Sequence, residues 1–251
     1  MTRTIAFTAL GGFPEIVAGT DLGALIRQSL HAAALEAQAG DALIVAQKIV
    51  SKAEGRDVDL ATVTPTPEAL ELATRVRKDP RFVQLVLDES TQVLRAVPNI
   101  LITRHRAGYV MANAGIDRSN VPGAAEQGGR VLLLPQDCDA SARRLSQALG
   151  GLPVVISDSF GRPWRQGVVN VALGVAGLPA IVDFRGTADR EGRIMQTSQL
   201  ALADAVAAGA GLVMGEGREG TPVVHLRGLD ISAPLTDGRV LLRPLEEDLF
   251  S

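Results

Sequence analysis

Residues 129–158, GRVLLLPQDCDASARRLSQALGGLPVVISD, decide the predicted fold of this chain. The runs VLLLP and LPVVISD have the aliphatic, β-branched composition of buried strands. The polar stretch between them has the spacing of an amphipathic helix, capped near Asp139. The segment therefore predicts a strand, a helix and a second buried strand, with Asp158 at the point where the second strand stops.

Upstream of this segment, a short first strand precedes an amphipathic helix that is predicted to begin at a cap on Thr20 or Asp21 and to end at Gly40. The segment ALIVAQKIVSKAEGR, residues 42–56, then begins as an apolar, β-branched run and turns abruptly polar. This change predicts a buried strand with Lys52 at or just beyond its end, where binding sites are often built.

A helical stretch is predicted to reach about Leu87, and Pro80 is expected to divide it into two helices. Strand-like segments follow, and Gly108 between the last two of them indicates a hairpin. Farther along, LPAIVDFRG at residues 178–186 predicts a strand, and TSQLALADAVAAGAG predicts a helix capped by Thr197.

The order of these elements predicts an α+β fold, with mixed or largely antiparallel sheets and flanking helices. The sequence has no internal repeat and no linker longer than GAAEQGG at residues 123–129. We therefore expect residues 1–251 to form a single unit, or two intertwined lobes that share strands.

The composition excludes several functional classes. The formal net charge of −3 gives no basic field for nucleic acid or an anionic membrane surface. A single cysteine, Cys138, and only three histidines leave no disulfide and no spacing typical of zinc ligands. The sequence contains neither a secretory signal nor an apolar run of membrane-spanning length, so we predict a cytoplasmic protein without membrane association.

Gly215, Gly217 and Gly220 have the G-x-G-x-x-G spacing of a dinucleotide-binding fingerprint. That fingerprint requires a helix after the glycines, because the amides of the helix N-terminus hold the pyrophosphate. The residues that follow, TPVVHL at 221–226, instead predict an edge strand. A dinucleotide-dependent oxidoreductase is therefore not supported, whereas a phosphate-binding or metal-binding loop that carries Glu216 stays open.

Three acidic residues, Asp117, Asp158 and Glu216, lie at predicted strand ends or in glycine-flanked turns, and the hydroxyls of Ser119 and Ser159 are close to them in sequence. Carboxylate and hydroxyl oxygens are the ligands that Mg²⁺ and Mn²⁺ prefer, usually together with substrate phosphates. The alternative is that each acidic residue is only a turn former or a helix cap.

The segment SFGRPWRQG, residues 159–167, is predicted to be a loop. Arg162 and Arg165 could bind phosphate or carboxylate groups through paired hydrogen bonds. The alternative is a packed loop in which Trp164 anchors the chain to the core and both arginines are solvated. Similarly, Lys52 either contacts a phosphate or is a solvated surface lysine.

Taken in order, six segments resemble the coenzyme F420-0:L-glutamate ligase family. The resemblance covers about residues 10–230, and AGIDRSN and SDSFGRPWR are its most specific blocks. The segments are GGFPEI, VAQKIVSKAEGR, ITRHRAGYVMANAGIDRSNVPG, VVISDSFGRPWRQG, VALGVAGLPAIVDFRG and ADAVAAGAGLVMGEGREGTPVV.

The resemblance implies that GTP phosphorylates the terminal carboxylate of the phospholactyl side chain of coenzyme F420-0, a deazaflavin, and that the amine of L-glutamate then displaces phosphate to form an amide. It also implies two divalent metal ions per site, Mg²⁺ or Mn²⁺, and a potassium ion is a further candidate. The expected form is a homodimer that lacks the C-terminal nitroreductase-like domain of some relatives. Alternatives are a related ligase for a different carboxylate or amine, and a nucleotide- and metal-binding protein without catalysis.

The resemblance also implies roles for single residues. Asp117 and Asp158 resemble ligands of the first metal, and Ser159 and Glu216 resemble ligands of the second. Lys52, Arg162 and Arg165 are the cationic side chains expected to offset negative charge during the reaction. The residues that resemble nucleotide contacts are Gly11, Gly12, Phe13, Pro14, Gln47, Lys52, Asn120, Gly211, Met214 and Gly215.

The chain departs from the expected pattern at Asn170, where an acidic residue is expected in the block VNVALG. This difference is a reason to consider a changed acceptor. No base for the glutamate amine is identifiable in the sequence. The sequence also leaves the number of added glutamates, the lactyl variant of the acceptor and the physiological metal undetermined.

Overall fold

The computed structural model describes residues 3–121 and 129–248. The helices in these ranges are α1 (Leu22–Ala32), α2 (Gln47–Ala53), α3 (Pro67–Val76), α4 (Pro80–Asp88), α5 (Cys138–Ala148) and α6 (Leu202–Met214). The strands are β1 (Ala6–Leu10), β2 (Ala42–Ala46), β3 (Asp57–Asp59), β4 (Ser90–Val97), β5 (Ile100–His105), β6 (Val110–Ala112), β7 (Arg130–Leu132), β8 (Val154–Arg162), β9 (Arg165–Ala176), β10 (Ile181–Asp183), β11 (Gln199–Ala201) and β12 (Val223–Arg227). Within these ranges, no helix is both long enough and apolar enough to cross a membrane. Of the predicted linker at 123–129, all but Gly129 lies outside the described residues.

The largest sheet has five strands in the order β1-β12-β2-β8-β9. Strands β2 and β8 are parallel, and the other neighbouring pairs are antiparallel. Side chains of β2 alternate between two buried clusters, as a strand with both faces covered requires. Leu43 and Val45 pack in the cluster of α1 and α5, whereas Ile44 packs in the cluster of α6.

Smaller sheets flank this one in the described part of the chain. Strands β4, β5 and β6 form an antiparallel sheet, while β3 pairs with β7 and β10 pairs with β11. Leu101 of β5 belongs to a third buried cluster, together with Val76 of α3 and Val86 of α4. This combination of mixed and antiparallel sheets with flanking helices confirms the predicted α+β class.

Several local predictions are confirmed. Pro80 begins α4 and so divides the predicted helical stretch, and the Asp79 carboxylate caps this helix by accepting the Arg81 N–H at 2.8 Å. The β5–β6 hairpin turns at Gly108, whose φ of +100° is accessible to glycine. Of the two candidate caps of α1, the structure selects Asp21, which accepts the Ala24 N–H at 2.9 Å.

Several predicted boundaries are wrong. Helix α1 ends at Ala32 rather than at Gly40, because Ala34 adopts a left-handed backbone with φ of +53° that stops the helix. Thr197 caps no helix, because β11 intervenes and α6 begins only at Leu202. Lys52 does not lie at a strand end, because β2 stops at Ala46 and the polar segment after it forms α2.

The predicted strand, helix and second strand are confirmed as β7, α5 and β8, but the two strands lie in different sheets. Strand β7 pairs with β3, whereas β8 lies in the five-stranded sheet beside β2. Hydrophobic periodicity reports that a strand is buried but does not report its partner, which depends on contacts distant in sequence.

The loop predicted at residues 159–167 is a β-hairpin. Strand β8 does not stop at Asp158 but continues to Arg162, and β9 begins at Arg165. Trp164 lies in the turn with 83% of its surface exposed, so the interpretation of Trp164 as a core anchor is wrong.

Strand β12 was predicted at an edge but lies between β1 and β2. Pro222 stands immediately before the strand, so its missing N–H removes no bond from within the ladder. Val223, Val224 and Leu226 are all fully buried, as an internal strand with both faces covered requires.

Candidate active site

The candidate site lies where β2 and its parallel pairing with β8 end. Ala46 and Ser157 are register partners at this edge, and Gln47 and Asp158 follow them directly. The carboxyl ends of neighbouring parallel strands form a crevice in which ligands commonly bind. The parallel pairing thus brings the segment around α2 next to the acidic residue of β8.

A cavity of about 580 Å³ opens at this edge. It is lined by the N-terminal segment, by α2, by Asn120, by the middle of the β8–β9 hairpin and by the loop after α6. The predicted nucleotide and metal residues that line it are Phe13, Pro14, Gln47, Lys52, Asn120, Asp158, Ser159, Met214, Gly215 and Glu216.

Three residues of the predicted nucleotide set do not line this cavity. Gly11 and Gly12 precede the segment that lines it. Gly211 lies behind Asn170, because a Cβ atom at position 211 would be 3.2 Å from the Asn170 Cγ. Gly211 therefore permits close packing of α6 against β9.

A second cavity of about 490 Å³ adjoins the first. It is lined by both predicted arginines, Arg162 and Arg165, and by Asp117, one of the predicted metal ligands. Much of the remaining lining is apolar and includes Ile102, Met111, Ile116 and Phe160. Asp158 and Ser159 line both cavities. The predicted metal and arginine residues thus lie at and around a junction between two spaces for ligands.

Asp117 is paired with Lys48, a residue that the sequence analysis missed. The Lys48 Nζ lies 2.6 Å from the Asp117 Oδ2 and 2.9 Å from the Ser119 Oγ. The other Asp117 oxygen accepts the Ser119 N–H at 2.7 Å. Burial would raise the pKa of Asp117, but the Lys48 ammonium and the Ser119 donors outweigh burial and lower that pKa.

The sequence feature that indicates a role for Lys48 is its spacing of four residues from Lys52. Residues four apart lie on the same helical face, so both lysines project from one side of α2. A polar segment that only follows a strand, as the sequence predicts, does not place the two lysines on a common helical face.

The pKa of Asp158 is shifted in the opposite direction to that of Asp117. Burial raises its pKa to about 7, with further upward contributions from the negative charges of Asp117 and Glu216. The Ser159 N–H donates to its carboxylate at 2.9 Å and partly opposes that rise. A carboxylate with so few donors for its charge favours the approach of a cation.

The predicted metal ligands offer carboxylate and hydroxyl oxygens, which are the donor atoms that a hard divalent cation prefers. These residues are Asp117, Asp158, Ser159 and Glu216. In residues 3–121 and 129–248, however, no group of three or more His, Cys, Asp or Glu side chains converges closely enough to hold a metal ion. Asp117 instead has an ammonium as its counter-ion.

The loop after α6 carries Glu216 and is shaped by Glu219, which the sequence analysis also missed. The Gly217 N–H donates to the Glu219 Oε2 at 2.7 Å, and both acidic residues line the first cavity. Gly215 has a φ of +76°, and a Cβ atom there would collide with the Glu219 carboxylate. The strand β12 that follows confirms that these glycines do not begin a helix.

If this cavity binds GTP, as the family resemblance implies, Gly215→Ala is expected to weaken that binding about tenfold, because the added Cβ must displace Glu219 and distort the loop. Titration with a fluorescent GTP analogue measures the effect. The matched control is Gly220→Ala, since Gly220 also has a positive φ, +66°, but has no neighbouring atom within 4 Å of the added Cβ. Equal losses in the two variants would show that backbone strain, rather than the Glu219 contact, is responsible.

Lys52 lies one helical turn beyond Lys48, and its Nζ pairs with the Glu15 Oε1 at 2.6 Å. Both residues of this pair line the first cavity. The prediction that Lys52 is simply a solvated surface lysine is wrong, because its side chain is only 12% exposed.

The β8–β9 hairpin carries both arginines into the second cavity. An Nη of Arg162 donates to the Gln166 carbonyl at 3.1 Å, which leaves most of its guanidinium donors for other partners. The Arg162 Nε is buried and has no hydrogen-bond partner among the described residues. Such an orphaned donor indicates a place for an anionic ligand.

Asn170 lies in the first cavity as the register partner of Ser159. It is 6% exposed, and its Nδ2 lies 3.7 Å from the Met214 Sδ, which is a weak acceptor. The residue at which the chain departs from the expected pattern is thus part of the cavity wall.

Two cavities that share Asp158 and Ser159, each also lined by cationic side chains, define a candidate enzyme that brings two ligands together. The comparison with known families gives the particular class. The profile of the family described as F420-0:Gamma-glutamyl ligase matches residues 12–228, and the chain belongs to this family.

Curated relatives cover nearly the whole chain. The coenzyme F420:L-glutamate ligase of Methanothermobacter thermautotrophicus is 43% identical over 98% of this chain and 98% of its own length. The protein of the same name from Natronomonas pharaonis is 48% identical over 96% of this chain and 92% of its own length. The Methanopyrus kandleri protein of that name is 42% identical over 92% of both chains.

Proposed function

We propose that this protein is a GTP-dependent ligase that joins L-glutamate to the phospholactyl carboxylate of coenzyme F420-0 in deazaflavin cofactor biosynthesis. The observation that carries the proposal is the junction at Asp158 and Ser159, which line both cavities. A nucleotide in one cavity and a carboxylate acceptor in the other would meet there. The names of the relatives support the same substrates.

The first cavity is assigned to the nucleotide. Phe13 and Pro14 offer an apolar wall, Asn120 offers an amide, and the loop from Gly215 to Gly220 offers backbone N–H groups. Lys52 is placed to contact a phosphate after exchanging its partner Glu15. The volume of about 580 Å³ is in the usual range for small-molecule sites.

The second cavity is assigned to coenzyme F420-0. Its apolar lining, with Ile102, Met111 and Ile116, suits a flat ring system. Arg162 and Arg165 suit the phosphodiester that links the ring system to the lactyl group. This arrangement would point the terminal carboxylate of the acceptor toward Asp158.

The proposed reaction has two steps. First, an oxygen of the acceptor carboxylate bonds to the γ-phosphorus of GTP, the bond to the bridging oxygen breaks, and GDP leaves. The nitrogen of the unprotonated glutamate amine then bonds to the acyl carbon, and phosphate leaves with the electrons of the carbon–oxygen bond. The amine proton passes to solvent, since no side chain is assigned as its base.

The residues that would hold two divalent cations are Asp117 and Asp158 for the first, and Ser159 and Glu216 for the second. Mg²⁺ or Mn²⁺ supplies positive charge beside the transferring phosphoryl group. The chain's own contribution is to collect oxygen donors at the junction and to orient both substrates. The potassium ion, the homodimer and the cytoplasmic location stay predictions.

The test is a ligation assay with purified protein, F420-0, GTP, Mn²⁺ and L-glutamate. Mass spectrometry is expected to detect a product lengthened by glutamate, with GDP and phosphate released in equal amounts. The same spectra count the glutamates that are added. A well-folded protein that hydrolyses GTP without forming this product would contradict the proposed function.

Arg162→Met is expected to raise the KM for F420-0 about tenfold or more, because the variant loses a charged donor group in the acceptor cavity. The KM for GTP should change little, since Arg162 does not line the first cavity. Steady-state kinetics with each substrate varied in turn measures both values. Arg75→Met, an exposed change on α3, is the matched control. An increase confined to the KM for GTP would reverse the assignment of the two cavities.

A second candidate function is a related ligase that uses a different carboxylate or amine. Asn170 favours this candidate, because an uncharged side chain lies in the cavity wall beside Ser159. Replacing glutamate with other amino acids, and F420-0 with other phosphorylated carboxylic acids, separates the two candidates. Any transfer of phosphate from GTP to an acceptor would also exclude a nucleotide-binding protein without catalysis.

A further inference from the structure

Lys48 occupies a position at the junction that the sequence patterns did not assign. It lines the first cavity, but its Nζ reaches the Asp117 carboxylate, which lines the second. The pair is mostly buried, with 24% of the Lys48 side chain and 27% of the Asp117 side chain exposed. Screening by water is therefore weaker for this pair than at the protein surface.

The contacts of Asp117 leave little room for an additional cation. One carboxylate oxygen pairs with the Lys48 ammonium, and the other accepts both the N–H and the hydroxyl of Ser119, at 2.7 and 2.8 Å. Of the four lone-pair sites of the carboxylate, these contacts leave one on Oδ2, so a divalent cation that binds there would lie beside the Lys48 ammonium. The ammonium is the donor whose positive charge opposes the arrival of that cation.

A cation that enters the junction would release the Lys48 ammonium only a few ångströms from its present position. Lys48 faces the cavity assigned to GTP, and an ammonium on a flexible stem is a suitable partner for phosphate oxygens. Lys52, one turn along α2, is instead held at the Glu15 side of the same cavity. The two lysines therefore serve different parts of the nucleotide cavity.

We propose that Lys48 is the internal counter-ion of Asp117 in the free protein and exchanges Asp117 for an oxygen of the transferred phosphoryl group when the cation and nucleotide bind. The second half of this inference rests on the proposed function. The first half, competition between Lys48 and a divalent cation for Asp117, does not depend on the reaction.

The first experiment measures Mn²⁺ binding to the free protein by electron paramagnetic resonance, without nucleotide. Lys48→Met is expected to bind Mn²⁺ about tenfold more tightly than the wild type, because the competing ammonium is absent. Lys78→Met is the matched control, since Lys78 lines neither cavity and should leave the affinity unchanged. Unchanged or weaker binding by a folded Lys48→Met protein would overturn the competition.

The second experiment measures ligation kinetics of the same variants. Lys48→Met is expected to lower kcat about 100-fold with only a small change in the KM for GTP, because one donor to the transferred group is lost. An unchanged kcat would overturn the phosphoryl contact. Should Lys48→Met fold poorly, Lys48→Arg keeps the charge: it is expected to bind Mn²⁺ no more tightly than the wild type, and tighter binding would count against the competition.

The Mn²⁺-binding and ligation experiments together distinguish a failure of the proposed role of Lys48 from a failure of the proposed function. If the wild type forms no ligated product but Lys48→Met still binds Mn²⁺ more tightly, the proposed function fails and the competition stands. If the wild type ligates normally and Lys48→Met matches it in both measurements, the proposed function stands and the role of Lys48 is refuted.

Discussion

Asp158→Asn is expected to lower the rate of ligation about 1,000-fold while leaving the protein at least as stable as the wild type. Asp158 lines both cavities, so its charge acts where the two substrates would meet. Losing about 4 kcal/mol of charge stabilisation in the transition state corresponds to a factor of that size. The substitution keeps the shape of the side chain, which limits its effect on packing.

The expected stability of Asp158→Asn follows from the burial of the Asp158 carboxyl group. Burial raises the pKa of Asp158 from 3.8 to about 7. The stability that protonated Asp158 contributes is therefore present below about pH 4 and is lost as the pH rises through about 7. Asparagine resembles the protonated form at every pH, so the variant should unfold at an equal or higher temperature than the wild type at pH 8 in metal-free buffer.

The measurements are initial rates of ligation and thermal unfolding on the same protein preparations. Asp230→Asn is the matched control, since the Asp230 side chain is 85% exposed and pairs with the exposed Arg3. A variant that keeps more than about one tenth of the wild-type rate would remove Asp158 from the chemistry. A variant that loses both activity and stability would indicate a structural role instead.

Asp41→Asn is expected to destabilise the fold by about 3 kcal/mol, because it breaks a buried ion cluster by removing the carboxylate that pairs with His225 and Arg227. The Asp41 side chain is fully buried and lies 3.0 Å from the His225 Nε2. Arg227 donates two hydrogen bonds to it, at 3.0 and 2.8 Å. The cluster connects the start of β2 to the end of β12, so its loss weakens the central sheet. The expected fall in the unfolding temperature is about 10 °C.

The cluster also predicts a specific dependence on pH. Burial alone would raise the pKa of Asp41, but Arg227 and His225 outweigh burial and lower it from 3.8 to about 2. The stability from this carboxylate is therefore fully present above about pH 4 and is lost as the pH falls toward 2. Asp41→Asn should show no such loss from this site.

Chemical denaturation at pH 7 and at pH 3 tests both statements. Asp183→Asn is the matched control, because Arg185 also holds the pKa of Asp183 at about 2 but this pair is exposed. The control should change stability little at either pH. A similar small effect for Asp41→Asn at pH 7 would show that the buried cluster contributes no more than a surface ion pair.

Local features of the fold could be predicted because they depend on residues that are close in sequence. Pro80 begins a helix because proline lacks the N–H that a helix interior requires, and Gly108 turns a hairpin because its backbone needs a positive φ. The cap on Asp21 follows the same local chemistry. The α+β class follows from the order of such elements.

The pairing of strands could not be predicted in this way. Strand β12 reads as a short edge strand after a proline, and its internal position depends on β1 and β2, which are more than 170 residues away. The end of β8 at Arg162, rather than at Asp158, likewise depends on β9 as a partner. Hydrophobic pattern specifies which residues are buried, whereas register and neighbour are long-range choices.

Some residues of the candidate site could likewise be predicted from the sequence, and others could not. Asp117, Asp158 and Glu216 could be predicted from residue type and motif order, because carboxylates beside glycine turns are typical of sites for Mg²⁺ or Mn²⁺. The same reasoning missed Lys48 and Glu219. Their partners are Asp117, which is distant in sequence, and a backbone N–H whose position depends on the bend of the loop.

The sequence by itself determined the α+β class, the family and the set of acidic, lysine and arginine side chains available for chemistry. These properties depend on composition and short-range order. Only the tertiary structure decided that Asp158 and Ser159 separate two cavities and that Lys48 pairs with Asp117. The physical reason is that the parallel pairing of β2 with β8 brings α2 next to Asp158, more than 100 residues away, and that the strength of a charge interaction depends on distance and burial rather than on sequence order.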